Sequence, residues 1–128
     1  MLFRSCDTAT DAALEKAVRW GAQVILAAPC CQHELLGQIS DESLGPLLRH
    51  GILKERFAAL VTDAARAELL ERAGYEVQVL EFVDLEHTAK NLLIRAVKSA
   101  RSGQRNGYDE FKQRLGIEPY LERALRES

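Results

Sequence analysis

No apolar run in this chain reaches the roughly 18 residues that a membrane-spanning helix needs, and the amino terminus lacks the basic-then-apolar pattern of a secretory signal. The sequence therefore predicts no membrane partner and a cytoplasmic location. There is no excess of one charge either. Seventeen basic and 19 acidic side chains leave a formal net charge of -2, well mixed along the chain, so no global field draws it onto nucleic acid or a membrane surface. Cysteine is scarce and odd in number, with Cys6, Cys30 and Cys31 the only three. In a chain without an export signal these read as reduced thiols. No internal repeat or low-complexity segment is present.

What is there is the composition of an ordinary globular domain: 128 residues, 47% hydrophobic and 28% charged. A chain of this length buries roughly two thirds of its unfolded surface, so one core that needs no disulfide or metal is expected.

The order of elements follows from periodicity and punctuation. From Thr8, with Asp11 three residues on, a Leu14, Ala17, Val18 stripe ending at Gly21 predicts a short amphipathic helix with a threonine cap and a glycine stop. The unbroken run Val24 to Ala28, closed by Pro29, suits a strand covered on both faces, the kind found in parallel sheets. His33 to His50 is broken by Gly37, Gly45 and Pro46 into short helical turns and loop. Leu53 to Ala73 predicts a helix, with Leu53, Phe57, Leu60, Val61 and Ala64 on its inner face and Gly74 as its stop. YEVQVLEFV and LLIRAVK read as an antiparallel hairpin joined by the polar loop DLEHTAKN. After the SARSGQRNG linker comes a helical tail anchored by Phe111, Leu115, Leu121 and Leu125, with Pro119 opening a separate last helix. Alternation of this kind predicts an α/β layered fold.

The chemistry is expected at one rim. If Leu2 to Ser5 ends a strand parallel to Val24–Ala28, Cys6-Asp7 and Pro29-Cys30-Cys31-Gln32-His33 leave the sheet side by side at its carboxyl edge, where open α/β sheets bind ligands.

Four strings carry a resemblance: CDTATDAAL, APCCQHEL, LLRHGILKER and EHTAKNLLIRAV, with the GIEPYLERAL tail inside the same likeness. Together they resemble a bacterial family of class I S-adenosylmethionine-dependent methyltransferases. A looser likeness, at Cys6, Ala9-Thr10-Asp11, Cys30, Cys31 and His33, is to the eukaryotic transfer-RNA ribose 2'-O-methyltransferases that modify the acceptor stem. The resemblance implies a partial Rossmann-like methyltransferase sheet, strands four to seven with the last antiparallel, helices on its faces and a short helical tail. Residues 1–98 would be the carboxy-terminal half of the domain, and residues 99–128 a linker and helical tail.

The same resemblance implies methyl transfer from S-adenosylmethionine to an acceptor such as a hydroxyl or nitrogen on RNA. Cys6 and Asp7 would lie beside the cofactor. Cys30, Cys31 and His33 would be the catalytic candidates, and Gln32, His87, Lys90 and Asn91 would face the substrate. In that family a glycine-rich turn after the first strand holds the methionine end of the cofactor. No Asp/Glu-x-Gly-x-Gly follows a strand here, so the first three strands are expected to be missing and the chain to be inactive alone. Arg4 and Ser5 stand where relatives carry His-Ala, and Ala89 where they carry proline.

Plainer readings compete with these. Cys6, Cys30, Cys31 and His33 could bind zinc, although their spacing matches no standard zinc pattern, or be inert buried thiols. His33 serves equally as a general base near neutrality or as the cap of a following helix. Asp11 reads as a helix-start residue whose charge complements the helix amino end. His87, Lys90 and Asn91 need no role beyond solvation in a loop. Lys98, Arg101 and Arg105 form a loose basic linker that could touch RNA phosphates, against which the nearly equal number of acidic groups in residues 99–128 argues for a solvated segment. A further expectation is a non-catalytic module: missing strands leave an open sheet edge with unpaired backbone groups, and a homodimer across that edge satisfies them.

Overall fold

The computed structural model describes residues 6–29, 34–83, 90–100 and 107–127, with the backbone alone at residues 6–8, 82–83 and 90–91. The described residues form α1 (Cys6–Arg19), β1 (Val24–Ala27), a 3-10 turn (Glu42–Leu44), α2 (Gly45–Leu48), α3 (Gly51–Arg72), β2 (Tyr75–Val83), β3 (Lys90–Lys98), α4 (Tyr108–Leu115) and α5 (Tyr120–Arg126). The mixed α/β class is as the sequence implied. None of these helices is long and apolar enough to cross a membrane.

Glycine ends α1 as expected. Gly21 has φ +68°, and the Gly21 and Ala22 amides donate to the Val18 and Ala17 carbonyls, each at 3.0 Å. This paired closure satisfies the last carbonyls of a helix and favours a residue without Cβ at the left-handed position. The start of α1 differs from the expectation. Helical backbone begins at Cys6, two residues before the threonine read as its cap, so Asp11 sits inside the helix rather than at its entrance.

The sheet has the order β1-β3-β2, with β3 antiparallel to both neighbours. The hairpin of β2 and β3 is the one the sequence predicts, and the last strand is antiparallel as the resemblance implies. Val24 pairs with Val97 and Ala27 with Ile94, so one neighbour of β1 is the antiparallel return strand. One detail is corrected: β1 is not covered on both faces. Ile25 is 7% exposed, whereas Val24 and Leu26 are 54% and 62% exposed. An apolar run records that a strand is hydrophobic, not which strand lies beside it. The parallel neighbour expected from Leu2 to Ser5 lies outside the described residues. Lys90 and Asn91, expected in the loop, belong to β3 opposite Val83 and Phe82, because the ladder runs two residues further than the apolar pattern.

One face of the sheet carries the core. Ile25, Ile94 and Ala96 pack with Leu14 of α1, Ala65, Leu69 and Leu70 of α3, and Tyr75, Tyr108 and Leu121. A second cluster joins Leu35, Ile39, Ala58, Val61, Leu115 and Ile117. The tail anchors act as expected, with Leu115 and Leu121 buried and Phe111 and Leu125 packed against the core. The inner face of α3 is the expected one only at Phe57 and Val61, which pack in the second cluster. Ala58, Val61, Ala65 and Leu69 face inward, while Leu53 and Leu60 are 42% and 61% exposed.

Candidate functional site

α1 leads through a short turn into β1, so the amino-terminal half of α1 and the carboxyl end of β1 meet at the same end of the unit. Thr10 and Ala13 share one groove with Ala27 and Ala28, and the groove encloses about 440 Å³. The backbone of Cys6 and Asp7 forms the first turn of α1, directly before Thr10. They are helical residues and not the loop that a strand end would supply. Pro29, after β1, is buried.

Of the expected site residues, Cys30, Cys31, Gln32, His33 and His87 lie outside the described residues, as do Arg4, Ser5, Ala89, Arg101 and Arg105. Lys90 and Asn91 begin β3. The residues that bracket Cys30–His33 are firmly held. Leu35 is 0% exposed in the second core cluster. Glu34 accepts a hydrogen bond from the Tyr120 amide at the start of α5, and the Gln38 side chain accepts one from the Glu118 amide at 2.7 Å. The helical tail thus buttresses the turn that begins at Glu34. Burial pushes the Glu34 carboxyl above its ordinary range, with the nearby Asp11 charge adding to the effect and the Tyr120 N–H opposing it.

Asp11, next to the groove-lining Thr10 in α1, belongs to a buried charge cluster that sequence reasoning missed. Arg66 Nε donates to Asp11 Oδ1 at 2.7 Å, and Arg66 Nη1 to Asp63 Oδ1 at 3.3 Å. Burial alone would lower the Arg66 pKa, but the two carboxylates more than offset it and hold it above its usual value. Asp11, read from the sequence as a helix-start charge, is a tie between α1 and α3. The Asp63-x-x-Arg66 spacing was a visible signal, since such pairs share a helix face. The Asp11 partner, 55 residues away, gave none. At the opposite end of β1, the Tyr75 hydroxyl donates to the Ala22 carbonyl at 2.7 Å and fixes the turn between α1 and β1.

The described residues do not form a full cradle for S-adenosylmethionine. Each glycine with positive φ (Gly21, Gly74, Gly107 and Gly116) flanks a helix end, and none follows a strand where backbone amides would meet a cofactor carboxylate. This arrangement can supply one wall of a ligand site, built on a helix start and a strand end. No step of methyl transfer follows from it.

Residues 3–38 match a family described as a methyltransferase domain. The matched stretch is under a third of the chain and takes in α1 and β1, which line the groove, together with the turn that begins at Glu34. No curated protein and no solved structure matches the chain.

Proposed function

We propose that this chain is a portion of an S-adenosylmethionine-dependent methyltransferase and that it supplies one wall of the cofactor and acceptor site. The observation that carries this reading is the coincidence of the methyltransferase-domain match, residues 3–38, with the α1–β1 groove and its rim. Cys6 and Asp7, at the start of α1, lie beside the cofactor in this reading. In this reading Cys30, Cys31 and His33 are the catalytic residues, and Gln32, His87, Lys90 and Asn91 bind the acceptor. That acceptor is a hydroxyl or nitrogen on RNA. Alignment rather than covalency is the work asked of these residues, since displacement at a sulfonium needs partners held close and in line. Without a glycine-rich turn the chain alone is inactive.

Calorimetric titration with S-adenosylhomocysteine tests the reading. Weak heat that disappears in the Cys6→Ala, Asp7→Asn double variant supports it. No heat at millimolar ligand contradicts it and favours a non-catalytic module.

A further inference from the structure

α3 carries a second apolar stripe on the side away from the core. Leu53, Leu60 and Ala64 project in one direction at helical spacing, and all three are exposed, with Ile52 beside them at 63%. The stripe changes along its length. Its first half is a ridge of large side chains, Ile52, Leu53 and Leu60. Its second half is small, and beside Ala64 it opens into a hollow of about 240 Å³ lined by Ala64 and Glu68 of α3 and by Gly107, Tyr108 and Phe111 at the start of α4. α4 runs antiparallel to α3, since Tyr108 lies by Glu68 and Arg72 whereas Leu115 packs with Ala58 and Val61.

Charge changes in the same sense. Lys54 and Arg56 flank the ridge, and Arg114 stands at the end of α4 nearest to it. Glu68 lines the hollow, with Asp109 and Glu110 in the first turn of α4. Glu55, the one acidic residue beside the ridge in sequence, projects roughly 140° away from Leu60 at 3.6 residues per turn. Among the described residues Lys54, Arg56, Glu68, Glu110 and Arg114 have no ion-pair partner.

We propose that this face of α3 and α4 pairs with the same face of a second copy of the chain, the two α3 helices antiparallel about a twofold axis, with Leu60 opposite Ala64 of the second copy. The polarity of the face is what selects a second copy in this direction. An isologous contact sets residue i against j and j against i, so reversing one helix lays ridge into hollow and basic end against acidic end, twice over. Leu60 enters the hollow beside Ala64 of the second copy, Lys54 meets Glu68, and on α4 Arg114 meets Glu110. A parallel pairing would instead set Lys54 against Lys54 and ridge against ridge. A standard interface takes about 800 Å² from each partner, more than a single helix stripe offers, so α4 shares the contact. Pairing of the helices does not depend on methyl transfer, and either can fail without the other.

Chain mass by sedimentation, followed from micromolar to millimolar concentration at low salt, tests the proposal. The mass is expected to rise from 14.3 kDa to twice that value. Leu60→Glu should abolish the rise and leave the circular dichroism spectrum and urea midpoint intact, since the side chain is exposed. Lys54→Glu and Glu68→Lys should each weaken the dimer by about three- to tenfold, as surface ion pairs allow. The double variant, which exchanges the two charges, should restore the wild-type affinity. Leu26→Lys, on the sheet, should leave the rise in place. A 14.3 kDa species at every concentration overturns the proposal and leaves the face to a different partner. So does a dimer that Leu60→Glu does not disturb. A dimer that Leu60→Glu abolishes but whose affinity the charge exchange does not restore also overturns it, because the antiparallel match of Lys54 with Glu68 is then absent.

Discussion

Arg66 Nε donates to Asp11 Oδ1 at 2.7 Å with both side chains only 2% exposed, so α1 and α3 are joined by a charge pair that water does not reach. Asp63 supplies a second carboxylate to the same guanidinium. Removing one member of such a cluster leaves the others charged and buried, which costs far more than the net worth of the pair.

Arg66→Met is therefore expected to destabilise the fold by about 3–5 kcal/mol, measured by urea unfolding. Adding Asp11→Leu to Arg66→Met should recover part of the loss, because one stranded carboxylate goes with it. A single Arg66→Met change that costs nothing would show that the cluster is solvated.

Gly116 ends α4 with φ +69°, and a Cβ there would stand 2.7 Å from Ser40 Oγ. A left-handed residue other than glycine costs roughly 1–2 kcal/mol, and Gly116→Ala is expected to lose at least that in thermal unfolding. The serine oxygen is the end of a side chain that can turn away. Ser40→Ala in the same background should relieve the clash and leave the backbone cost.

Glu34 gives the stability a pH dependence of known sign. A carboxyl whose folded pKa lies above its ordinary 4.5 holds its proton more tightly when folded. Its contribution to folding is fully present below that ordinary value and is lost as pH rises through the raised one. Wild type should therefore lose stability relative to Glu34→Gln as pH climbs through the acid range, and the difference should be constant at neutral pH. Urea midpoints for the two proteins at a series of pH values measure this. A difference that runs the other way would place Glu34 among carboxylates stabilised by their partners.

Local signals made much of the fold legible. The Gly21 stop, the hairpin of β2 and β3, and the start of the last helix after Pro119 all follow from punctuation within a few residues of the element concerned. The inner face of α3 was legible at Val61 but not in full, because Ala58, Ala65 and the paired Asp63 and Arg66 share it, residues that carry little hydrophobic periodicity. Leu53 and Leu60 carry more, yet point outward. Partners distant in sequence were not legible at all: neither Asp11 with Arg66 nor β1 with β3 leaves a mark on any short stretch. At the candidate site the sequence singled out Cys6 and Asp7 but set them in a loop. Their helical backbone reflects a helix that starts earlier than its best capping residue.

The central claim, that the start of α1 and the end of β1 wall a cofactor site, is tested most directly by mapping amide shifts of the ¹⁵N-labelled chain during titration with S-adenosylhomocysteine. Saturable changes concentrated at Cys6 to Thr10, Ala27, Ala28 and the residues from Cys30 to His33 are the expected result. An unchanged spectrum at millimolar ligand, or changes clustered on α3 and the tail instead, would contradict it.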